Sequence, residues 1–507
     1  AFSMYGYGLR GVSDDVYYYN PQKVPPVVNH GTPEFPDYAA TRYYSSDFTE
    51  KRMVSYFGRL GYNYKQRYLL EFTFRRDGSS TFGEGNRWAN FPSVAVGWSF
   101  SEEPFIKRLT GGWLNWGKIR GSYGKSGQTF TSAYLAHGLM NIMDKSFFGK
   151  TGITTDKPVS PYLTWEKTRQ YDLGLDMDMF NYRLNVKLDY YYKYTSSLIY
   201  DIPIPGSLYA FGAQVENAME ISNEGLELEL QADILRESAV SWRMKFNMAR
   251  NWNRFEKSYS GKDVVDGDGT LLVVGRPLNG LYVWAHRGYY NSDAEVPRLY
   301  KIDGQEIYFN GVATNGISGA VGDYRLLDLD GDGNPDSYYA GSPLPLAHGG
   351  WVNELMWKNF DLNVLVNFTI GRKMINNRMG LGFSRQSEDG HLTKLFDYRK
   401  LRPWDGVNKK PNAPAWGNSL SMNTDSAIEK VHHLALKQIT LGYNLPDRIS
   451  KKAGLSGVRF FLTAENLFYL SNYSGGNPEV VNIYTGRDNG DTYPLPRKYT
   501  LGLTLNF

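Results

Sequence analysis

The sequence predicts an all-β protein, a transmembrane antiparallel β-barrel, and three observations carry that expectation. The first is the stretch Arg497-Lys-Tyr-Thr-Leu-Gly-Leu-Thr-Leu-Asn-Phe507, where Tyr499, Leu501, Leu503, Leu505 and Phe507 alternate with polar or small residues. Such alternation puts the apolar set on one face of an extended strand. An apolar strand left at an open edge invites unwanted pairing, so this one is safest in a sheet that closes on itself. The second is composition: 39 Tyr, 26 Phe and 12 Trp among 507 residues, with no Cys and a negative mean hydropathy. Disulfides are impossible, and no apolar run approaches the roughly 18 residues a membrane-crossing helix needs. The third is the punctuation of the chain, in which short turns and long loops alternate between strands, as in outer-membrane barrels.

Length alone allows several soluble domains or one large barrel. Lys and Arg number 56 against 52 Asp and Glu, with both signs spread along the chain, so no basic stripe points to nucleic acid. Ala1 is not preceded by Met and no charged segment leads into an apolar one, so the expectation is a mature or truncated chain whose N-terminal part lies elsewhere.

Taken in order, residues 1–10 read as a short aromatic strand, and Pro21, Pro25, Pro26, Pro33 and Pro36 make the following stretch a long loop. Ser55–Tyr64 and Tyr68–Arg75 are strands joined by Lys65-Gln66-Arg67, a tight hairpin connection. A Gly-rich loop containing Trp88 precedes the strands Phe91–Phe100 and Trp116–Tyr123. The clearest patterning follows: Tyr171, Leu173, Leu175, Met177 and Met179 alternate with Asp172, Gly174, Asp176 and Asp178. After Asn181, Leu184, Val186, Leu188, Tyr190 and Tyr192 alternate with Arg183, Asn185, Lys187, Asp189 and Tyr191, so acid is expected to face base across the hairpin. Leu226, Leu228, Leu230 and Ile234 with Glu227, Glu229 and Asp233, then Trp242, Met244, Phe246 and Met248 with Arg243 and Lys245, repeat the design. Gly350–Trp357, Phe360–Ile370, Val431–Tyr443 and Val458–Phe468 bring the total to about fourteen strands. Long extracellular loops are expected at approximately 11–50, 78–90, 127–164, 200–220, 257–347, 372–430 and 469–494. Tyrosine clusters such as Tyr190-Tyr191-Tyr192 fit interfacial girdles, with sheet packing as the plainer account.

Asp328-Leu-Asp-Gly-Asp-Gly333 sets Asp328, Asp330 and Asp332 at alternate positions before a turning glycine, and Asp336 adds a fourth carboxylate. A calcium ion fits such a loop, but Tyr339 stands where an EF-hand places its bidentate Glu, and a solvated turn is the alternative. Candidate ligand-contacting residues are Trp88, Trp284, Tyr289, Trp404 with Asp405, and Trp416 with Asn418; otherwise they pack the loops that hold them. Catalysis is not expected. The single adjacent histidine pair, His432-His433, points to opposite faces of a strand, and neither a nucleophile elbow nor a phosphate loop is visible.

Several spaced segments resemble the SusC-like (RagA/SusC) TonB-dependent transporters of the Bacteroidota outer membrane. They are Tyr68-Leu-Leu-Glu-Phe-Thr-Phe-Arg-Arg-Asp-Gly-Ser-Ser80, Asn86-Arg-Trp88, Phe91-Pro-Ser-Val-Ala-Val-Gly-Trp98, Ile119-Arg-Gly-Ser-Tyr-Gly124, Ile439-Thr-Leu-Gly-Tyr-Asn-Leu-Pro446, Ala464-Glu-Asn-Leu467, Asn472-Tyr473, Asn477-Pro-Glu479 and Tyr493 to Phe507. The aromatic last residue also resembles the signal read by barrel-assembly machinery. The resemblance implies a barrel of about twenty-two strands with an N-terminal plug worked by TonB. This chain would then be the C-terminal fourteen or so strands, the plug and remaining wall being supplied from elsewhere, because an open sheet edge is not tolerated in lipid. It further implies a SusD-like lipoprotein lid, transporter-lid pairs assembled as a dimer, no required cofactor, and import of an oligosaccharide or peptide. A secreted soluble β-protein that binds or cleaves glycans is the competing reading, since aromatic rings and carboxylates suit that work too.

Overall fold

The computed structural model describes residues 2–13, 28–29, 38–39, 42–129, 134–138, 140–147, 150–155, 158–209, 211–236, 238–265, 271–296, 298–300, 306–308, 321–329, 336–377, 402–407, 410–415, 424–452, 454–490 and 492–507. Fourteen strands follow one another in chain order through a single sheet. They are β1 (Phe2–Ser13), β2 (Arg42–Tyr64), β3 (Tyr68–Ser79), β4 (Trp88–Trp98), β5 (Leu114–Gln128), β6 (Glu166–Met179) and β7 (Leu184–Pro203). The second half comprises β8 (Ala213–Leu235), β9 (Val240–Lys257), β10 (Ala347–Trp357), β11 (Phe360–Asn376), β12 (Ile428–Asn444), β13 (Gly457–Ser471) and β14 (Lys498–Asn506). Each is antiparallel to the next, and a two-residue strand, Arg487–Asp488, lies parallel against the far end of β11. Among the described residues β1 and β14 do not pair with each other.

Register turns the period-two pattern into two faces. Tyr64, Tyr68, Trp98, Ile119, Leu175, Leu188, Leu228 and Met248 stand side by side across β2 to β9. Trp242, Leu355, Leu362, Leu441, Leu462 and Leu501 do the same from β9 to β14. None of these side chains is buried: Tyr68 is 48%, Leu462 49% and Leu501 82% exposed, and Trp98, Leu175 and Leu362 are half-buried. A continuous bare apolar face of this kind has lipid as its solvent.

The opposite face is polar and laced with ion pairs: Arg59 to Glu71 (2.5 Å), Arg120 to Asp176 (3.0 Å) and Asp189 (2.5 Å), Lys187 to Glu229 (3.4 Å), Arg243 to Asp233 (2.6 Å), Lys245 to Glu354 (2.7 Å) and Arg459 to Asp361 (2.6 Å). Acid does meet base, though often not inside the expected hairpin. Asp233 pairs with Arg243 opposite it, whereas Asp176, opposite Lys187, bonds Arg120 on its other side. Register sets Lys245 against Gln231, so it turns to Glu354 on β10.

Strands run well beyond the limits their alternation predicts. β2 and β8 have 23 residues each and β7 has 20, against the roughly 9–11 that cross a bilayer. Past the lipid there is no need for an apolar outer face, so the pattern fades while the hydrogen-bond ladder continues. The predicted loop 200–220 thereby shrinks to 204–212, and 78–90 to 80–87. At the other rim the connections are tight. Lys65 (φ 53) and Gln66 (φ 58) are both left-handed, and Arg67 N–H closes the turn on Tyr64 C=O at 3.0 Å. Two short-side connections carry helices, Pro104–Thr110 and Asp447–Lys452.

Buried apolar clusters sit on the long-loop side. Phe82, Phe91, Leu163, Trp165 and Val215 form one, and Leu281, Val283, Ala340 and Ile375 another. On the polar face, the Arg120 guanidinium crosses Gly174 to reach both acids, and a Cβ on Gly174 would stand 2.4 Å from Arg120 Cζ. Gly174→Ala is therefore expected to displace Arg120 and cost about 1–3 kcal/mol; a lowered thermal unfolding midpoint in detergent checks it, and an unchanged midpoint would mean the guanidinium sidesteps freely.

Candidate functional site

The site is built where β11 leaves the bilayer. A register shift between Thr369 and Arg372, with Gly371 at φ +71, turns Arg372 inward. Its guanidinium is buried and donates to three carbonyls, Pro478 (3.3 Å), Val481 (3.2 Å) and Asn482 (2.8 Å). Those carbonyls belong to the loop between β13 and β14, whose turn Pro478–Val480 is capped by Asn477 Oδ1 accepting Glu479 N–H at 2.9 Å. Lys437 Nζ meets the Glu479 carboxylate at 3.2 Å and His433 Nε2 approaches it at 3.9 Å. The Asn477-Pro-Glu479 segment is thus pinned to the inner wall by the Arg372 fork and the Lys437 ammonium, with His433, whose pKa burial lowers, lying beside them as a neutral imidazole.

Beside it lies a cavity of about 780 Å³, lined by Glu229, Lys245, Asn247, Asn367, Thr369 and His433 among others. Gly350, near the start of β10, leaves the wall without a side chain between Asn247 and Asn367. His348 Nδ1 and Arg372 Nε are buried there with no protein partner among the described residues, which leaves both for water or a bound molecule. Amide and hydroxyl groups that donate and accept, flanked by both signs of charge, suit a polar ligand.

Above the wall, the loop between β9 and β10 is fastened to the loop between β11 and β12. Trp284 bridges Thr424, and the Asp425 carboxylate accepts from His286 Nδ1 and from Tyr338 O–H at 3.0 Å. Ser426 O–H donates to the Tyr324 hydroxyl at 3.1 Å, and the Tyr324 ring stacks on Tyr289 at 5.3 Å. Trp404 Nε1 donates to Asn291 Oδ1 at 3.2 Å and its ring covers Gly322. Burial pushes the Tyr289 phenol well above its ordinary range and raises Tyr324, and burial followed by the Asp425 hydrogen bond raises Tyr338. Tyr282, nearby, is pushed up to about 12, again mainly by burial. All four are neutral at physiological pH.

Of the residues singled out from sequence, Trp284, Tyr289 and Trp404 are half-buried in this knot of loops, and the exposed Asp405 accepts from Val407 N–H at 2.9 Å. Trp88 lies elsewhere. It stands opposite Gly78 on the lipid-facing side, stacks on Tyr56 at 6.0 Å and lies under Arg76 at 5.3 Å, the setting of a girdle residue. Trp416, Asn418, Asp330 and Asp332 fall outside the described residues. Asp336 Oδ2 accepts Leu329 N–H (2.5 Å) and its own N–H reaches Leu327 C=O (2.9 Å), closing the Asp-rich loop, and Asp328 is exposed at its mouth. Among the described residues no three metal-ligating side chains converge. The wall residues Arg372, Asn247, Asn367 and His433 escaped sequence reasoning as a group. Only the inward aim of His433, away from His432, could be read from period alone.

Residues 2–367 match the family described as TonB dependent receptor-like, beta-barrel. The chain is similar to TonB-dependent receptor P26 of Formosa agariphila, 32% identical over 491 residues that cover 91% of this chain and 47% of the relative. It is 29% identical to TonB-dependent receptor SusC of Bacteroides thetaiotaomicron over 491 residues, 93% of this chain and 45% of SusC. In fold it is similar to a chain of the RagAB peptide transporter, with a TM-score of 0.75 and 24% identity over 92% of this chain and 49% of that one. The chain spans about half the length of the curated relatives it matches.

Arg372→Ala is expected to remove about 1.5–3 kcal/mol of charged hydrogen bonding from the 478–482 turn. Limited proteolysis should then cut 472–497 faster, and Arg372→Lys should not restore protection, because one ammonium cannot span three carbonyls. Asp425→Ala should raise amide exchange together in 281–289 and 424–427 while β11 and β12 stay protected; exchange rising in one segment alone would show that the carboxylate does not join the loops.

Proposed function

The chain belongs to the TonB-dependent receptor β-barrel family, and from that premise we propose that it forms part of the wall of an importer carrying an oligomeric nutrient, an oligosaccharide or a peptide, across the outer membrane. The family consists of outer-membrane transporters rather than enzymes. The observation that carries the proposal is the two-faced sheet: an apolar row toward lipid, a charged wall behind it, and loops at one rim pinned onto that wall at Arg372. A secreted soluble protein would not leave Leu462 and Leu501 bare in one continuous row.

By the rule for such barrels, the short turns face the periplasm and the long loops the exterior. Cargo enters between the knotted loops under a SusD-like lipoprotein lid and rests on the polar wall near Asn247, Asn367 and His433. A plug supplied by the rest of the assembly, drawn aside through TonB, then opens the way inward. The remaining barrel strands pair with the free edges of β1 and β14, because unpaired backbone groups in hydrocarbon cost several kcal/mol each. Transporter-lid pairs assemble as a dimer. Calcium at the Asp328 loop belongs to the same proposal, as a stiffener of the exterior surface.

Extraction of native membranes in mild detergent, purification through this chain and mass identification of its companions tests the assembly. A plug-bearing polypeptide portion and a lipoprotein should accompany it in equal amount; recovery of the folded chain alone in the aqueous fraction would overturn the proposal. For the cargo site, calorimetric titration of the purified assembly with oligosaccharide and peptide panels should find a ligand. Asn247→Ala with Asn367→Ala should weaken it about ten-fold, the effect of losing two hydrogen bonds of modest net worth. Equal affinity would move the cargo site elsewhere.

A further inference from the structure

The segment between β4 and β5, at the tight-turn rim, folds back over the outside of the sheet. Phe100 lies over Gly117, where a Cβ would stand 2.4 Å from its ring, and Gly117 is in register with Met177 of the apolar face. Glu103 follows on the same side, accepting from Tyr68 O–H (2.7 Å) and Trp98 Nε1 (3.4 Å) and meeting the Arg67 guanidinium (3.4 Å). Its buried carboxylate fixes where the helix Pro104–Thr110 begins. Gly111 (φ +52) and Gly112 (φ +91) then reverse the chain into β5.

What this fixed helix presents outward is apolar. Phe105 and Leu109, four residues apart on one helical face, are 55% and 78% exposed, and Trp113 beyond them is 47% exposed. The Trp113 ring lies 6.2 Å from Phe180 of the neighbouring turn at a tilt of 32°, and Phe180 and Tyr182 are also open. Lys107 and Arg108 occupy the same helix, and both are exposed. The helix is tied to the lipid-facing row through Glu103, which bonds both Tyr68 and Trp98 of that row, and the patch joins aromatic and aliphatic side chains to cations. That combination fits an acyl region beneath anionic headgroups.

We propose that residues 99–113 form a membrane foot that rests in the glycerophospholipid headgroups at the tight-turn rim, inserting Phe105, Leu109 and Trp113 among the upper acyl carbons with Lys107 and Arg108 toward phosphates. The foot sets the depth of the barrel in its leaflet. Naming that leaflet as the periplasmic one rests on the orientation proposed above; immersion of the foot does not.

The chain has no cysteine, so single-cysteine variants accept nitroxide labels cleanly. Labels at Leu109→Cys and, separately, Phe105→Cys in the native assembly, reconstituted in phosphatidylethanolamine and phosphatidylglycerol vesicles, report depth through collision with oxygen and a nickel chelate. Leu462→Cys serves as the immersed reference and Gln66→Cys, at a turn tip on the same rim, as the aqueous one. Both foot labels should favour oxygen over nickel several-fold more than Gln66→Cys does. Nickel access equal to the turn tip would overturn the foot, and so would shielding from both reagents, which would mean that protein covers the patch. Sidedness is read independently with a membrane-impermeant maleimide on intact cells. Tyr484→Cys on a long loop should react and Leu109→Cys should not; the reverse would overturn the orientation and leave the depth result standing.

Discussion

Every feature of this chain answers to one constraint: within hydrocarbon, each backbone N–H and C=O must find a partner in the protein itself. An extended chain meets it only by pairing on both sides, so fourteen strands join in chain order without a crossover. Pairing in turn fixes register, and register decides which side chains meet lipid. A slip of one residue in β6 would exchange Leu173, Leu175 and Met177 for Asp172, Asp176 and Asp178 on the lipid side. Few sequences specify register so strongly, because few sheets have solvents so different on their two faces.

The same constraint lapses at the edge of the bilayer, and the architecture changes there. β2, β7 and β8 keep their hydrogen-bond ladders far past the lipid but lose their alternation. Apolar residues no longer needed outside are gathered inward, as with Phe82, Phe91 and Trp165. Buried cores therefore form above the membrane, where water surrounds the protein and the hydrophobic effect drives burial as it does in any soluble domain.

This division explains what could be read from the sequence. Within the bilayer, period two is a physical necessity, so the strands containing Tyr171–Met179, Leu184–Tyr192 and Tyr499–Leu505 were legible, as were the turns at Lys65-Gln66 and Asn181. Strand ends were not, because a ladder continued in water imposes no pattern on residues such as Ala213–Asn223. The site was least legible of all. Trp284, Tyr289 and Trp404 were visible as loop aromatics, but their partners Thr424, Tyr324 and Asn291 are brought to them by folding of separate loops. Arg372 looks in sequence like one more basic residue after a strand; only the register shift at Gly371 reveals it as the anchor of a loop a hundred residues away.

The wall then carries two kinds of polar contact, and their difference in burial matters for transport. Arg120, Lys187, Arg243 and Lys245 keep roughly 40% of their side chains open to water, so exchanging a carboxylate partner for water or cargo costs each about 1 kcal/mol or less. Arg372 is closed off, and breaking its bonds would strand three carbonyls and a charge together. In an importer of the kind proposed above, both properties are needed at once. Its lumenal surface must let a polar oligomer displace local partners without deep traps, while the loops that define the entrance must hold their place as those partners change. Placing the exchangeable pairs along the hydrated wall and the fixed one beneath the Asn477-Pro-Glu479 turn separates the two requirements. It does so with the same residue types, distinguished only by how much water reaches them.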